Sequence, residues 1–273
     1  CRITTPVTPT SPSLSTIKSI SNLHAGLCRF PLMALDVLII IVITSFIQSL
    51  FGVGVLLFGT PLLLIVGYEF FDAVVILLPI SISINLIQIA KDYRYIDFDL
   101  YKKILIYSIP FVIIFLFLVT QVEVNISLLV GVFLLSVAIK DYSSTAKIMI
   151  NISHRYEKIY LSVMGIIHGL TNLGGSLLTA IVHSKDYQKR ITRVTVAIAY
   201  ATFALFQILT LLVSGYRPEI TFSGVGVYLI AGVAIFVITE KLVYIELDNE
   251  NYTKYFAAFL FLSGILLCVK SLS

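Results

Sequence analysis

Residues 51–64, FGVGVLLFGTPLLL, decide the fold, and they form the second half of an apolar run over residues 35–66. A helix of that length would measure about 45 Å, whereas the hydrocarbon core of a bilayer is about 30 Å thick. The glycines at 52, 54 and 59 and the proline at 61 indicate that the backbone leaves its helical path within the run. Such a break is tolerated at membrane depth only where it faces protein or a watery cavity.

The composition is that of a polytopic membrane protein. Of 273 residues, 58% are apolar and 12% are charged, and the mean hydropathy is +1.00, whereas soluble domains are about 45–50% apolar and about 25% charged. Eight spans of roughly 20 residues leave room only for short loops, which excludes a large soluble domain. The apolar runs cover residues 35–66, 73–90, 104–120, 126–139, 159–182, 194–214, 222–239 and 255–269.

Charge and cysteine content exclude several other classes of protein. The net charge is only +4, and the basic residues lie almost wholly in loops, so we expect no nucleic-acid partner. Cys1, Cys28 and Cys268 form no CxxC motif and predict neither a disulfide framework nor a zinc site. We find no HExxH, GxSxG or GxGD motif, so we predict no catalytic residues and no metal.

Four segments make up the predicted domain organisation. Residues 1–32 are rich in Thr, Ser and Pro and lack an apolar period, which predicts a disordered leader. Met33 is the first methionine, so the leader is either non-native sequence before the initiator or a genuine short tail. Transmembrane repeat 1 is expected over 33–140, a central cytoplasmic loop over 141–158, and transmembrane repeat 2 over 159–273.

The distribution of basic residues tests how the runs cross the membrane. If all eight runs span fully, one side has ten basic residues and the other has six. If the run 159–182 instead folds back as a re-entrant hairpin, fourteen lie on one side and only two, Arg217 and Lys270, on the other. The second arrangement obeys the positive-inside rule better. It predicts that loops 91–103, 140–158, 183–193 and 241–254 are cytoplasmic.

The two runs that contain glycine breaks align without a gap at an offset of 120 residues. Residues 46–57 and 166–177 share four identities, among them Gly54/Gly174, and both have a polar residue at position 48/168. Chance coincidence in apolar sequence is the alternative. Because each broken run precedes three further runs, we predict an all-α protein of two homologous four-run halves. A re-entrant hairpin plus three spans would make these halves inverted repeats, the architecture of many secondary transporters.

The break FGVGVLLFGTPLLL and its counterpart GIIHGLTNLGGSLLTAIV (residues 165–182) resemble the TauE/SafE (TSUP) family of sulfite and sulfonate exporters. The resemblance extends over residues 33–270. The first motif has fewer glycines than is usual in that family, with Val53, Val55 and Leu56 in their place. The resemblance implies a secondary transporter of small anions in the cytoplasmic membrane, with neither a cofactor nor ATP hydrolysis.

Candidate binding residues lie at the two breaks and on the helices that follow them. A helix that begins within the membrane presents unpaired N–H groups and a partial positive charge, which suit an anion. Backbone donors are expected from Gly52, Gly54, Gly174 and Gly175, and side-chain groups from Gln48, Thr60, Asn85, Gln88, His168, Asn172, Ser176 and Gln207. The alternatives are that the glycines serve close helix packing, that His168 is a neutral structural histidine, and that Gln88 and Gln207 only bridge helices.

Three functions remain open at this stage. A carrier of small anions working by alternating access fits the repeats best. An anion channel could use the same half-helices, and an intramembrane enzyme lacks a recognisable constellation of catalytic groups. The expected partners are a small anionic substrate and the lipid bilayer. The oligomeric state stays open, and a homo-oligomer is one alternative. Arg193 lies at the end of a run, where snorkelling to the interface accounts for it.

Overall fold

The computed structural model describes residues 35–122, 124–142, 155–185, 187–218, 222–242 and 249–272. Within these ranges the chain is helical and contains no strand. The predictions for the leader 1–32, for Met33 and for most of the central loop lie outside the described residues. The helices are α1 Leu35–Phe51, α2 Val55–Val66, α3 Phe70–Asp92, α4 Phe98–Tyr107, α5 Ile109–Gln121, α6 Ile126–Tyr142, α7 Glu157–Thr171, α8 Gly175–His183, α9 Lys189–Val213, α10 Phe222–Leu242 and α11 Asn249–Leu272.

Three segments in the described ranges are long and apolar enough to cross a membrane: Phe70–Tyr95, Phe98–Gln121 and Lys189–Val213. Shorter apolar helices accompany them. The run predicted over 104–120 forms two helices, α4 and α5, which meet at Ser108. Pro110 lies in the first turn of α5, where its missing N–H costs nothing. The Ser108 hydroxyl donates a hydrogen bond of 2.8 Å to the carbonyl oxygen of Leu161 on α7.

The first break separates α1 from α2 at residues 52–54. Gly52 has a φ of +80°, a left-handed conformation that glycine adopts without a steric penalty. Gly54 then brings the chain back against α1, since a Cβ at position 54 would lie 2.6 Å from both the amide nitrogen of Gln48 and the carbonyl oxygen of Thr44. The glycine at 54 is therefore required by the close approach of backbone to backbone.

The second break, between α7 and α8, has the same local construction 120 residues later. Asn172 takes the left-handed conformation with a φ of 61°, the one non-glycine residue in the described chain to do so. A Cβ at Gly174 would lie 2.5 Å from the Cβ of His168 and 2.7 Å from the carbonyl oxygen of Met164. The left-handed residue at 52 thus corresponds to 172, and the glycine at 54 corresponds to 174. The residues that these glycines contact, at 44 and 48, correspond to 164 and 168.

Each break turns its two helices into a hairpin: hairpin 1 is α1 with α2, and hairpin 2 is α7 with α8. At the open end of hairpin 2, the Lys185 ammonium lies 3.0 Å from the Glu157 carboxylate. A continuous helix would hold these residues about 42 Å apart. In hairpin 1, Asp36 lies in the first turn of α1 and Tyr68 follows α2. Burial raises the pKa of Tyr68, and the charges of the neighbouring Tyr228 and Asp36 raise it further.

The loops 91–103 and 183–193 lie at the same end of the molecule. Glu157 accepts hydrogen bonds from both Lys103 and Lys185, and these outweigh its burial and hold the pKa of its carboxyl below the usual value. The backbone N–H of Asp97 donates to the Thr195 hydroxyl on α9 at 3.0 Å. The side of the membrane on which these loops lie stays a prediction.

Helix packing brings the two halves of the chain together. Helix α3 packs against α9, so that the helices following the two hairpins are neighbours, and α5 contacts both α7 and α9. Helices α6 and α11, the last of each half, pack against each other. The two hairpins thereby lie within one helical assembly.

The tight contacts at the two breaks predict that Gly54→Ala and Gly174→Ala each destabilise the protein. An added methyl group must displace backbone atoms of α1 or α7, and overpacking of this kind costs about 1–3 kcal/mol. Thermal unfolding in detergent measures the loss. Gly226→Ala on α10 is the matched control, because a Cβ there meets nothing within 4 Å. Wild-type stability in both break variants would contradict the described turns.

Candidate functional site

A buried glutamine closes the first break. The side-chain carbonyl of Gln48 accepts a hydrogen bond from the backbone N–H of Val55, the first residue of α2, at 2.9 Å. Its amide nitrogen donates to the side-chain oxygen of Asn85 on α3 at 3.1 Å, and the Asn85 amide donates to the Ser81 hydroxyl at 3.1 Å. Gln48 therefore satisfies one of the N–H groups that the start of a helix leaves unpaired.

A buried asparagine at the second break connects the two hairpins. The Asn172 amide nitrogen donates to the Thr60 hydroxyl on α2 at 2.9 Å, and the Asn172 side-chain oxygen accepts from the Gln207 amide on α9 at 3.1 Å. All three side chains are buried. Five of the predicted site residues are thus placed in two short hydrogen-bonded chains: Gln48 with Asn85, and Thr60 with Asn172 and Gln207.

His168 lies one turn before the second break and is completely buried. The ring packs against Phe203, with centroids 4.6 Å apart, and lies within hydrogen-bonding reach of the Gln207 carboxamide. Both ring nitrogens and the Gln207 oxygen make no other hydrogen bond with the described residues. Because a neutral imidazole has one N–H, it can donate either to the Gln207 oxygen or to a solute beside Asn172.

Gln88 lies outside both chains of hydrogen bonds. It is 3% exposed, and neither its oxygen nor its nitrogen has a partner among the described residues. The Ser176 hydroxyl donates to the carbonyl of Leu173 at 3.0 Å, so its proton is used within the break itself. The Thr179 hydroxyl similarly donates to the carbonyl of Gly175 at 2.8 Å.

The predicted glycines are all at points of close packing. Gly54 and Gly174 fold back on α1 and α7, Gly52 lies under the side chain of Arg193, and Gly175 lies against the hydroxyl of Tyr200. Close packing was the alternative interpretation of these glycines. Their role as backbone donors to an anion stays a prediction.

Sequence reasoning missed Arg193 and Glu240 as neighbours of the first break. Arg193 does more than snorkel: its guanidinium Nη2 donates to the carbonyl of Ser49 at 3.3 Å and lies 2.9 Å from the Glu240 carboxylate. The signal in the sequence was a positive charge before one apolar run, at Arg193, and a negative charge after the next run, at Glu240. That signal does not identify a partner 47 residues away along the chain.

One cavity lies away from this region, and the described residues contain no cluster of metal ligands. A cavity of about 490 Å³ is lined by residues near Phe70 and by residues 119–122 and 124–127, and no predicted site residue contributes to it. Across the described ranges, no group of three or more His, Cys, Asp or Glu side chains could hold a metal ion.

The model of the family described as "Sulfite exporter TauE/SafE" matches residues 37–267, which is most of the chain and includes both breaks. Neither the curated proteins nor the solved structures include a match.

The bridge through Asn172 predicts the effect of its removal. Asn172→Gly leaves the Thr60 hydroxyl and the Gln207 amide without their buried partner, and an unsatisfied buried group costs about 1–3 kcal/mol. Glycine keeps the left-handed φ at this position without the steric penalty that alanine would add. Unfolding in detergent should show this loss, whereas Gln121→Ala, at an exposed position, should leave stability unchanged. Equal stability of the two variants would mean that the bridge contributes nothing.

Proposed function

Because the chain belongs to the sulfite exporter TauE/SafE family, we propose that it is a secondary transporter that moves small sulfur oxyanions by alternating access. Sulfite, thiosulfate and organosulfonates form the substrate class. The observation that carries the proposal is the buried bridge from Thr60 through Asn172 to Gln207. It joins hairpin 1 to hairpin 2 through polar groups in an otherwise apolar interior.

We infer a topology in which both hairpins are re-entrant. The proximity of Glu157 to Lys185 supports this for hairpin 2, and the turn of Gly54 onto α1 supports it for hairpin 1. Three membrane crossings follow each hairpin, so the two halves enter the membrane from opposite sides as inverted repeats. The end with Lys103 and Lys185 is then cytoplasmic, and the protein is a multi-pass protein of the cytoplasmic membrane.

The substrate site in this proposal lies around Asn172, beside the imidazole of His168. The donors to an oxyanion are the His168 N–H, the Thr60 hydroxyl and the N–H groups of the Asn172 and Gln207 amides, whereas the Gln207 oxygen can only accept. The beginning of α8 adds its dipole. The two hydrogen-bonded chains contain no acidic side chain that would repel the substrate. Neutral donors bind an anion without holding it as tightly as a buried arginine would, which suits release on the far side.

Alternating access follows from the position of the bridge. Thr60 belongs to the first hairpin and Asn172 to the second, so a rocking movement of one half against the other has to exchange this hydrogen bond. An anion that takes over the Asn172 amide would release Thr60 and favour that movement. Such coupling of a bound ligand to one of two conformations is what a carrier requires.

A flux measurement with purified protein in liposomes tests the function. We expect saturable uptake of sulfite, accelerated when the opposite compartment contains unlabelled sulfite, because a carrier exchanges substrate across the membrane. Thiosulfate and methanesulfonate are the competing anions to test. Asn172→Gly should lower uptake at least tenfold, and Gln121→Ala should not.

Flux that rises linearly with sulfite and shows no counterflow would identify a channel. Folded protein without flux for any of these anions would overturn the assignment.

Labelling of single cysteines tests the topology. In a protein whose Cys1, Cys28 and Cys268 are replaced by serine, we expect Glu157→Cys and Lys185→Cys to react with a membrane-impermeant maleimide from the same side. Ser214→Cys, which follows α9 at its far end, should react from the other side. Labelling of positions 157 and 185 from opposite sides would overturn the re-entrant hairpin.

A further inference from the structure

Arg193 lies directly against the first break, although it belongs to the second half of the chain. A Cβ at Gly52 would lie 2.9 Å from the Cγ of Arg193. The guanidinium Nη2 donates to the carbonyl of Ser49, in the last turn of α1. A cation is favourable there because the carbonyl end of a helix has a partial negative charge. Arg193 thus fixes the end of α1 to the second turn of α9.

One carboxylate holds both Arg193 and a second cation. Glu240, near the end of α10, lies 2.9 Å from Arg193 through Oε1, and its Oε2 accepts from Lys91 of α3. The Glu240 side chain is 10% exposed and that of Lys91 is 50% exposed. The cluster therefore ties α1, α3, α9 and α10 together at one end of the molecule, with Lys91 toward the solvent.

The cluster retains capacity for an anion. Two cations share one carboxylate, so the three side chains have a net charge of +1. The Nε of Arg193 is buried and makes no hydrogen bond with the described residues. A guanidinium binds an oxyanion best through two parallel N–H groups, a geometry that an ammonium group cannot provide.

We propose that Arg193 is the binding residue for the substrate oxyanion at the end of the pathway next to the first break, and that Glu240 occupies its place when substrate is absent. The inference rests on the proposed transport function and deepens it. An entering oxyanion displaces Glu240 from Arg193. Glu240 keeps its contact with Lys91, so its charge is not left without a partner.

The exchange links binding to movement. While Glu240 is bound to Arg193, α10 is tied to the end of α1 and to α9. When an oxyanion takes its place, that tie is broken, although Arg193 keeps its hydrogen bond to Ser49. The ion pair is therefore a gate that an anion opens by competing for the guanidinium. A neutral solute or a cation cannot do so, which makes Arg193 a determinant of specificity.

Sulfite uptake by variants in liposomes tests the proposal. Arg193→Gln should raise the KM for sulfite at least tenfold, and Arg193→Lys should raise it less, because the charge remains and the planar fork is lost. Glu240→Gln should lower the KM several-fold, because the competing carboxylate is gone. A misfolded protein does not gain affinity, so this variant separates binding from folding. Lys102→Gln, an exposed position on α4, is the control and should keep the wild-type KM.

The charge swap R193E with E240R distinguishes binding from a purely structural role. It can restore the ion pair but moves the cation away from the first break, so we expect stability to recover while the raised KM persists. Recovery of the wild-type KM, or a wild-type KM in Arg193→Gln, would overturn the proposal.

If the wild-type protein moves no sulfur oxyanion, sulfite binding in detergent becomes the test of Arg193. Thermal stabilisation by sulfite that Arg193→Gln abolishes would support the site while the transport function fails. The absence of sulfite binding would overturn both.

Discussion

Two interruptions of helical backbone inside an apolar protein are the constraint from which the rest of the structure follows. Each break releases N–H and carbonyl groups that neither lipid nor apolar side chains can satisfy. Gln48 meets part of this need at the first break by accepting from Val55, and at the second the Thr171 hydroxyl accepts from the N–H of Leu173 at 3.2 Å. Polar residues at this depth are therefore required by the backbone before any solute is considered.

The same requirement explains why the candidate site residues lie at the two breaks. Gln48 closes the first break and still has an amide N–H for Asn85. Asn172 makes the left-handed turn of the second break with its backbone, and its side-chain amide contacts Thr60 and Gln207. These remaining groups bridge hairpins and helices. A polar network that forms for structural reasons is then available to a polar solute, provided that the solute can replace some of its hydrogen bonds.

The sequence was informative where the signal was local. Gly52, Gly54, Gly174 and the offset of 120 residues locate both breaks, because a reversal of backbone needs residues without side chains or with left-handed φ. Contacts between distant residues were beyond this reasoning. Nothing in the neighbourhood of Gln207 specifies Asn172 as its partner, and Arg193 resembles any arginine at a membrane interface until packing brings it to Ser49.

Under the proposed transport function, the placement of charge would separate recognition from translocation. Burying an ion without a partner is costly, so the charges near the first break, Arg193 and Glu240, neutralise each other at one end, where the half-exposed Lys91 opens to water. The chain from Thr60 through Asn172 to Gln207 uses neutral groups instead. A charged site selects strongly but releases slowly, whereas neutral donors select weakly and release quickly. In the proposed mechanism, an anion first displaces Glu240 and then passes to neutral donors, so it meets each kind of site where its property is useful.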